Sequence, residues 1–440
     1  MKTNNYFFQS FLTLAMAAVI FYAAKPFLPE RLFEESKTDS KNIIIDSLMI
    51  QAAAEAENNS NIEKPDSTEN LNQIQKEYDG NEYLKRFYEA LRSLENDPSR
   101  KVRIGYYGDS MTDGDLITQD LREHFQDRFG GGGVGFVPIT SESAKSRASI
   151  VHQFSPDWKK ISFVTDFRPK YSFGLSGNVF FITDSTGSAW LRIRPTAYKK
   201  HNSRLDQITL YYGKSKNRSG TVNQQSLITD SLVNSIRLNP KGNIADFQFR
   251  NAAEIPFYGV SLDEPNGVNL DNFSSRGNSG LPFSLFDIRL MNDFDKTLHY
   301  DLIVLHFGAN VLTYGKKNYS WYENSMTKVV NHLKECFPNT DILIISTADK
   351  ASKINGKIQT DPSVAFLLEA QRNYALSTQS GFLDLYDLMG GENSMVNWAD
   401  SEPSMANKDY THFNSRGAEK IAGLIYNQII KGYEDFKKNN

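Results

Sequence analysis

A chain of 440 residues, 40% hydrophobic and 23% charged, has ordinary globular composition and material for one large or two smaller domains with a substantial core. A formal net charge of -3 gives no reason to expect a polyanionic partner, which sets nucleic acid aside. The single cysteine, Cys336, excludes an intramolecular disulfide, and no Cys/His cluster has the spacing of a metal site.

Residues 6–24 are almost uncharged and apolar, behind Lys2, and come close to the roughly 20 residues that span a bilayer as a helix. Phe21-Tyr-Ala-Ala24 followed by Lys25-Pro26 is a poor cleavage site, so residues 1–25 read as a signal anchor in preference to a cleaved signal peptide. Either would export the body of the chain to the periplasm or cell envelope, with membrane contact confined to this segment. Residues 26–78 are polar and of mixed charge. They read as a flexible tether carrying one short helix over 43–56.

An amphipathic helix over 83–94 (Leu84, Phe87, Tyr88, Leu91, Leu94) opens the folded part. A strand over 102–107 and a helix over 116–129 follow. The glycine run at 130–135 lacks the Lys-Ser/Thr of a phosphate loop and follows a helix, so it reads as a flexible connection. Over 146–263 the texture changes. Short alternating runs at 177–182, 189–194, 207–212, 235–238, 245–249 and 257–260, separated by turn residues, predict an inserted antiparallel β-sandwich. Its Trp158, Trp190, Tyr211 and Tyr212 suit either core packing or sugar stacking. Beyond it come a strand over 301–307, a helix over 321–337 that ends near a buried Cys336, a strand over 341–346, a helix over 363–377, a strand over 382–385 and a helix over 415–433. Continuous apolar strands separated by helices predict a parallel sheet covered on both faces. The expected organisation is an α/β domain in two parts, 79–145 and 264–435, interrupted by the module at 146–263.

Four short blocks carry chemistry. Gly108-Asp109-Ser110 ends the strand over 102–107, where reactive loops of parallel sheets sit, and the helix behind it directs N–H groups toward that loop. A serine needs a base within hydrogen-bond reach to act as a nucleophile. Asp409-Tyr-Thr-His412 supplies an imidazole and a carboxylate that can orient it, although the same residues would serve as a polar loop ahead of a helix. A developing oxyanion needs donors fixed in advance. Candidates are the Ser110 N–H, the side-chain amide of Asn310 in Gly308-Ala-Asn310, and a glycine N–H from Ser275-Arg-Gly277-Asn-Ser-Gly280, where either Gly277 or Gly280 could donate.

In this order the four blocks resemble the SGNH (GDSL-type) hydrolase superfamily, over about residues 100–140 and 265–435. Met111 stands where Leu is usual and Val311 where Asp is common; neither change removes a reacting group. A narrower likeness lies in Gly105-Tyr-Tyr-Gly-Asp-Ser110, Asp113–Asp115, Leu121-Arg-Glu-His-Phe125 and Phe129-Gly-Gly-Gly-Gly-Val-Gly-Phe-Val-Pro138, which is similar to the peptidoglycan O-acetylesterase branch, although many of those relatives have His where this chain has Met111. The resemblance implies a flavodoxin-like three-layer α/β fold with a parallel sheet, interrupted by a carbohydrate-binding-like β module. It implies a Ser110–His412–Asp409 triad, an oxyanion hole from Ser110, Gly277 and Asn310, and a supporting Asp109. It implies no metal or organic cofactor, and an O-acetylated polysaccharide or peptidoglycan as substrate. Acetyl transfer to a polysaccharide, or glycan binding without catalysis, are the alternatives the same blocks allow.

Overall fold

The structure, a computed structural model, describes residue 16 and residues 46–58 and 78–439, apart from 169, 203, 204, 206, 241, 313 and 315–317. The apolar stretch at 6–24, residue 16 apart, and most of the expected tether therefore lie outside the described residues. Among the described residues no helix is long and apolar enough to cross a membrane.

Five parallel strands form the central sheet: β1 (Lys101–Gly108), β2 (Gly267–Asn272), β3 (Leu302–His306), β4 (Asp341–Ile345) and β5 (Gly381–Leu383). Their order is β2-β1-β3-β4-β5. The chain starts at β1, moves to one side for β2, then to the other for β3, so the carboxyl ends of β1 and β3 flank a topological switch point. The pleat divides each strand between two apolar layers. Val102, Ile104 and Tyr106 of β1 face one core, with Leu302 and Val304 of β3. Tyr107, Ile303 and Leu305 face the other. The first layer is covered by α2 (Lys85–Asn96), α3 (Thr118–Phe129) and α7 (Ser415–Asn439); the second by α4 (Ile288–Leu298), α5 (Ser320–Cys336) and α6 (Ser363–Ser377). Helix α1 (Ser47–Asn58) also lies on the second layer, against α5. Cys336 is buried at the end of α5, and burial pushes its thiol up to about 12.

The expected inserted module is present as two antiparallel sheets around their own core. One sheet runs through Val233–Leu238, Gln207–Gly213, Phe257–Asp263, Asn178–Ile182 and Trp158–Ser162. The other contains Ile150–Phe154, Ala189–Pro195 and Ala245–Arg250, with two short strands at its edge. Tyr211 and Tyr212 are buried, and Trp158 packs edge-on against Phe249 and Phe257, so these three are packing residues; Trp190 is exposed.

The glycine run departs from the connection expected of it. Gly133–Val137 is a fully buried strand paired with Phe257–Asp263, and it crosses β2 closely. Gly135 has φ 72°, and a Cβ there would fall 2.5 Å from the Asp271 carboxylate and 2.6 Å from the Leu270 carbonyl. Only glycine allows that approach. The two layers are also pinned by one cation: Arg103 of β1, 1% exposed, bonds Asp271 of β2 at 2.7 and 3.0 Å, Asp263 at 2.6 Å and Ser261 at 2.8 Å. A buried guanidinium with every neighbour satisfied fixes one relative setting of module and sheet.

Candidate active site

β1 delivers the serine. At its last residue, Gly108, a Cβ would lie 2.2 Å from Thr112 Oγ1, so glycine is required for the chain to turn back on itself. Asp109 follows and points inward, 2% exposed. Its carboxylate accepts the Met111 N–H at 2.9 Å, and the Gly308 and Ala309 N–H groups of the next loop lie close enough to favour its ionised form. Burial outweighs these contacts and the His412 charge, and lifts the Asp109 carboxyl to about 6. One side chain thus binds the serine loop to the loop after β3.

Ser110 points outward. Its Oγ lies 3.0 Å from His412 Nε2, across 302 residues of sequence. His412 Nδ1 is 2.8 Å from Asp409 Oδ2. With Nδ1–H donated to that carboxylate, Nε2 is left to accept the serine proton. The other Asp409 oxygen accepts the N–H groups of Thr411 and His412, each at 3.0 Å. Partial burial opposes ionisation of Asp409, but those N–H groups and the His412 ring hold it below the usual carboxylate range. Asn414 then caps α7, accepting the Arg416 and Gly417 N–H groups.

The remaining two blocks meet the serine loop at the same sheet edge. The β1–β2 ladder continues past the strands, with Ser275 N–H on the Gly108 carbonyl at 3.0 Å. Arg276 then bonds Asp113 at 2.6 Å. Asn310 Nδ2 donates to the Asn278 carbonyl at 3.1 Å, which joins the glycine block to the loop after β3. The two candidate glycines separate here. The Gly280 N–H is occupied by Asn278 Oδ1 at 2.9 Å, and the residue is buried. Gly277 is half-buried at φ 77°, and its N–H, like that of Ser110, has no hydrogen-bond partner among the described residues. Backbone donors without a partner are the kind of group that an oxyanion requires.

The loop after the serine was less legible. Gly114, Asp115 and Ile117 all take positive φ, at 71°, 70° and 66°. For Asp115 and Ile117 that geometry costs about 1–3 kcal/mol each. Asp115 is the compensation. Fully buried, it bonds Arg122 at 2.9 and 3.0 Å, Arg147 at 3.0 Å, Ser149 at 2.6 Å and Thr118 at 2.7 Å. Burial opposes the charge, but the Arg122 and Arg147 guanidiniums hold the carboxyl well below its usual range. Arg147 and Ser149 belong to the inserted module, so the module braces the loop behind the serine.

Beside Ser275 and Arg276 a small polar cleft of about 60 Å³ opens between the sheet edge and the module, lined also by Asp113 and Glu142, with Lys160 and Asn178 on the module side. Among the described residues no group of three or more His, Cys, Asp or Glu side chains could hold a metal ion.

No protein-family model matches the chain, and no curated protein matches it. Solved structures do. A peptidoglycan O-acetylesterase overlays on 80% of this chain and 96% of its own with a TM-score of 0.66 and 21% identity. Slighter overlaps occur with a family two carbohydrate esterase from Cellvibrio japonicus (65% of this chain, 99% of that one, TM-score 0.26, 10% identity) and with an acetyl xylan esterase (37% and 81%, TM-score 0.30, 19% identity). The sheet order, the serine at the switch point and the overlay along most of the chain agree: this protein has the SGNH (GDSL-type) hydrolase fold, with an antiparallel β module inserted between α3 and β2.

Proposed function

We propose that the protein is a serine esterase that removes O-acetyl groups from a cell-envelope glycan, with peptidoglycan as the leading substrate. The observation that carries this is the Ser110–His412 contact at 3.0 Å, backed by Asp409 at 2.8 Å. Ser110 Oγ attacks the acetyl carbonyl as its proton passes to His412 Nε2. The negative charge that forms on the carbonyl oxygen is met by the Ser110 and Gly277 N–H groups and the Asn310 amide. Collapse breaks the bond to the sugar oxygen, which takes the proton back from His412. Water, deprotonated by the same imidazole, then attacks acetyl-Ser110 and releases acetic acid.

Three features support the substrate class. The cleft lined by Asp113, Ser275 and Arg276 is polar and reaches Lys160 and Asn178 of the β module, which suits a carbohydrate better than an acyl tail. The fold likeness is to a structure of a peptidoglycan O-acetylesterase. The apolar stretch at 6–24 would put the protein in the envelope beside such a polymer. Water is favoured over a sugar hydroxyl as acceptor because the base is open: the His412 and Asp409 side chains are 39% and 49% exposed. The test is acetate release from O-acetylated peptidoglycan and from acetylated xylan by the full-length protein and its Ser110→Ala variant. The wild type is expected to prefer peptidoglycan and the variant to lose activity by about 10⁴-fold or more. Equal release by the variant contradicts the reading. Acetylated oligosaccharides in place of acetate would make the enzyme a transferase.

A further inference from the structure

Residues 46–58 fall within the stretch that the sequence assigns to a tether, yet they have a fixed seat. Helix α1 packs against α5 and the turn Leu281–Leu285. Met49 is buried in the same core as Phe283 and Met326, with Leu48 and Ala52 at its edge. Asp46, just ahead of the helix, is 1% exposed. Its two oxygens face different ways. Oδ1 accepts the Leu48 and Met49 N–H groups at 3.1 and 3.2 Å and caps α1. Oδ2 accepts the Ser279 N–H at 3.1 Å and also the Ser279 hydroxyl, 233 residues further along the chain.

Capping a helix needs one acceptor, and serine or threonine would do it. The second oxygen serves the glycine block. Ser279 is fully buried, and its carbonyl accepts the Tyr322 hydroxyl at 2.7 Å. The adjacent Asn278 carbonyl holds Asn310 Nδ2 at 3.1 Å, and Gly277, whose N–H has no partner among the described residues, precedes it. One carboxylate thus anchors the loop that carries one oxyanion donor and orients another.

We propose that Asp46 is a positioning residue for oxyanion stabilisation: residues 46–58 form a strap whose carboxylate fixes the 277–280 loop, so that Gly277 and Asn310 stand in place before the tetrahedral intermediate forms. This rests on the esterase function proposed above. Asp46 acts through Ser279 and touches no substrate. Because donors must be in place in advance, displacing them weakens transition-state stabilisation while leaving ground-state binding alone.

The test uses the full-length protein, with active sites counted by an organophosphonate and 4-nitrophenyl acetate as substrate. Asp46→Ser keeps a cap for α1 and is too short to reach Ser279. It is expected to lower kcat per titrated site by about 10- to 100-fold. KM should stay within about twofold, and affinity for a boronic acid, whose tetrahedral adduct occupies the same donors, should weaken by the same factor as kcat/KM. If Asp46→Ser fails to fold, Ser279→Ala removes the hydroxyl contact with the α1 cap intact and should shift the same quantities by a smaller factor. A kcat per site within twofold of wild type in whichever variant folds, or a rise in KM at unchanged kcat, overturns the proposal while the esterase function stands. A wild type without esterase activity, or a Ser110→Ala variant as active as wild type, overturns both.

Discussion

The two halves of the site are built on opposite plans. Asp409 and His412 come from a single short loop, half-exposed, whose shape is set by Asp409 bonding its own next backbone groups. Ser110, Gly277 and Asn310 come from the ends of three different strands, and buried carboxylates hold them: Asp109 under the serine and Asn310 loops, Asp46 behind the glycine loop. A proton shuttle needs only one partner in reach and one orienter, which a local scaffold can supply. Donors for a charge that exists only in the transition state must be fixed beforehand, and that takes long-range packing. The half proposed to hold the oxyanion therefore carries the buried ionisable groups and their cost.

The largest effect that sharpens this contrast is Asn310→Ala. It should lower kcat by about 10²–10³-fold with KM little changed. A rise in KM at constant kcat would mean that Asn310 binds ground-state substrate, and the contrast would fail.

Asp109→Asn tests the cost. The Asp109 carboxyl sits near 6 in the folded protein, above the ordinary aspartate value of 3.8. Its stabilising contribution, that of the neutral acid, is fully present below about pH 3.8 and is lost as pH rises through 6. Two pKa units correspond to about 3 kcal/mol. Chemical unfolding of both proteins should show wild-type stability falling relative to Asp109→Asn by about that much between pH 4 and 7. A pH-independent difference would mean that Asp109 ionises normally.

Arg276→Ala should do least. The guanidinium bonds Asp113 but is 51% exposed, so its loss should cost under about 1 kcal/mol in thermal unfolding, and less in high salt. A cost of several kcal/mol would move this surface pair into the framework of the glycine loop.

The same contrast explains what the sequence revealed. Ser110, Asn310 and the Asp409/His412 pair were legible because each is a short block beside a strand or helix with a clean apolar pattern. β2 was not. Its Asn269 and Asp271 break the apolar run, and Asp271 is buried with Arg103, Phe136 and Tyr300, all from other elements, as its partners. The strand Gly133–Val137 hid behind glycines that serve close backbone approach instead of flexibility. Helix α4 could have been found: Asp287 caps it and Leu290, Met291, Phe294 and Leu298 make a helical stripe. Asp46 could not, because a carboxylate that caps a local helix gives no sign of a second partner 233 residues on.

The central claim is that Ser110 is a nucleophile activated by His412. Treating the full-length protein with a fluorophosphonate and mapping the modified peptides by mass spectrometry tests it most directly. A single adduct on Ser110, formed at least about 10³-fold more slowly in His412→Ala, is the expected result. An adduct elsewhere, or one that forms as fast without the imidazole, would contradict it.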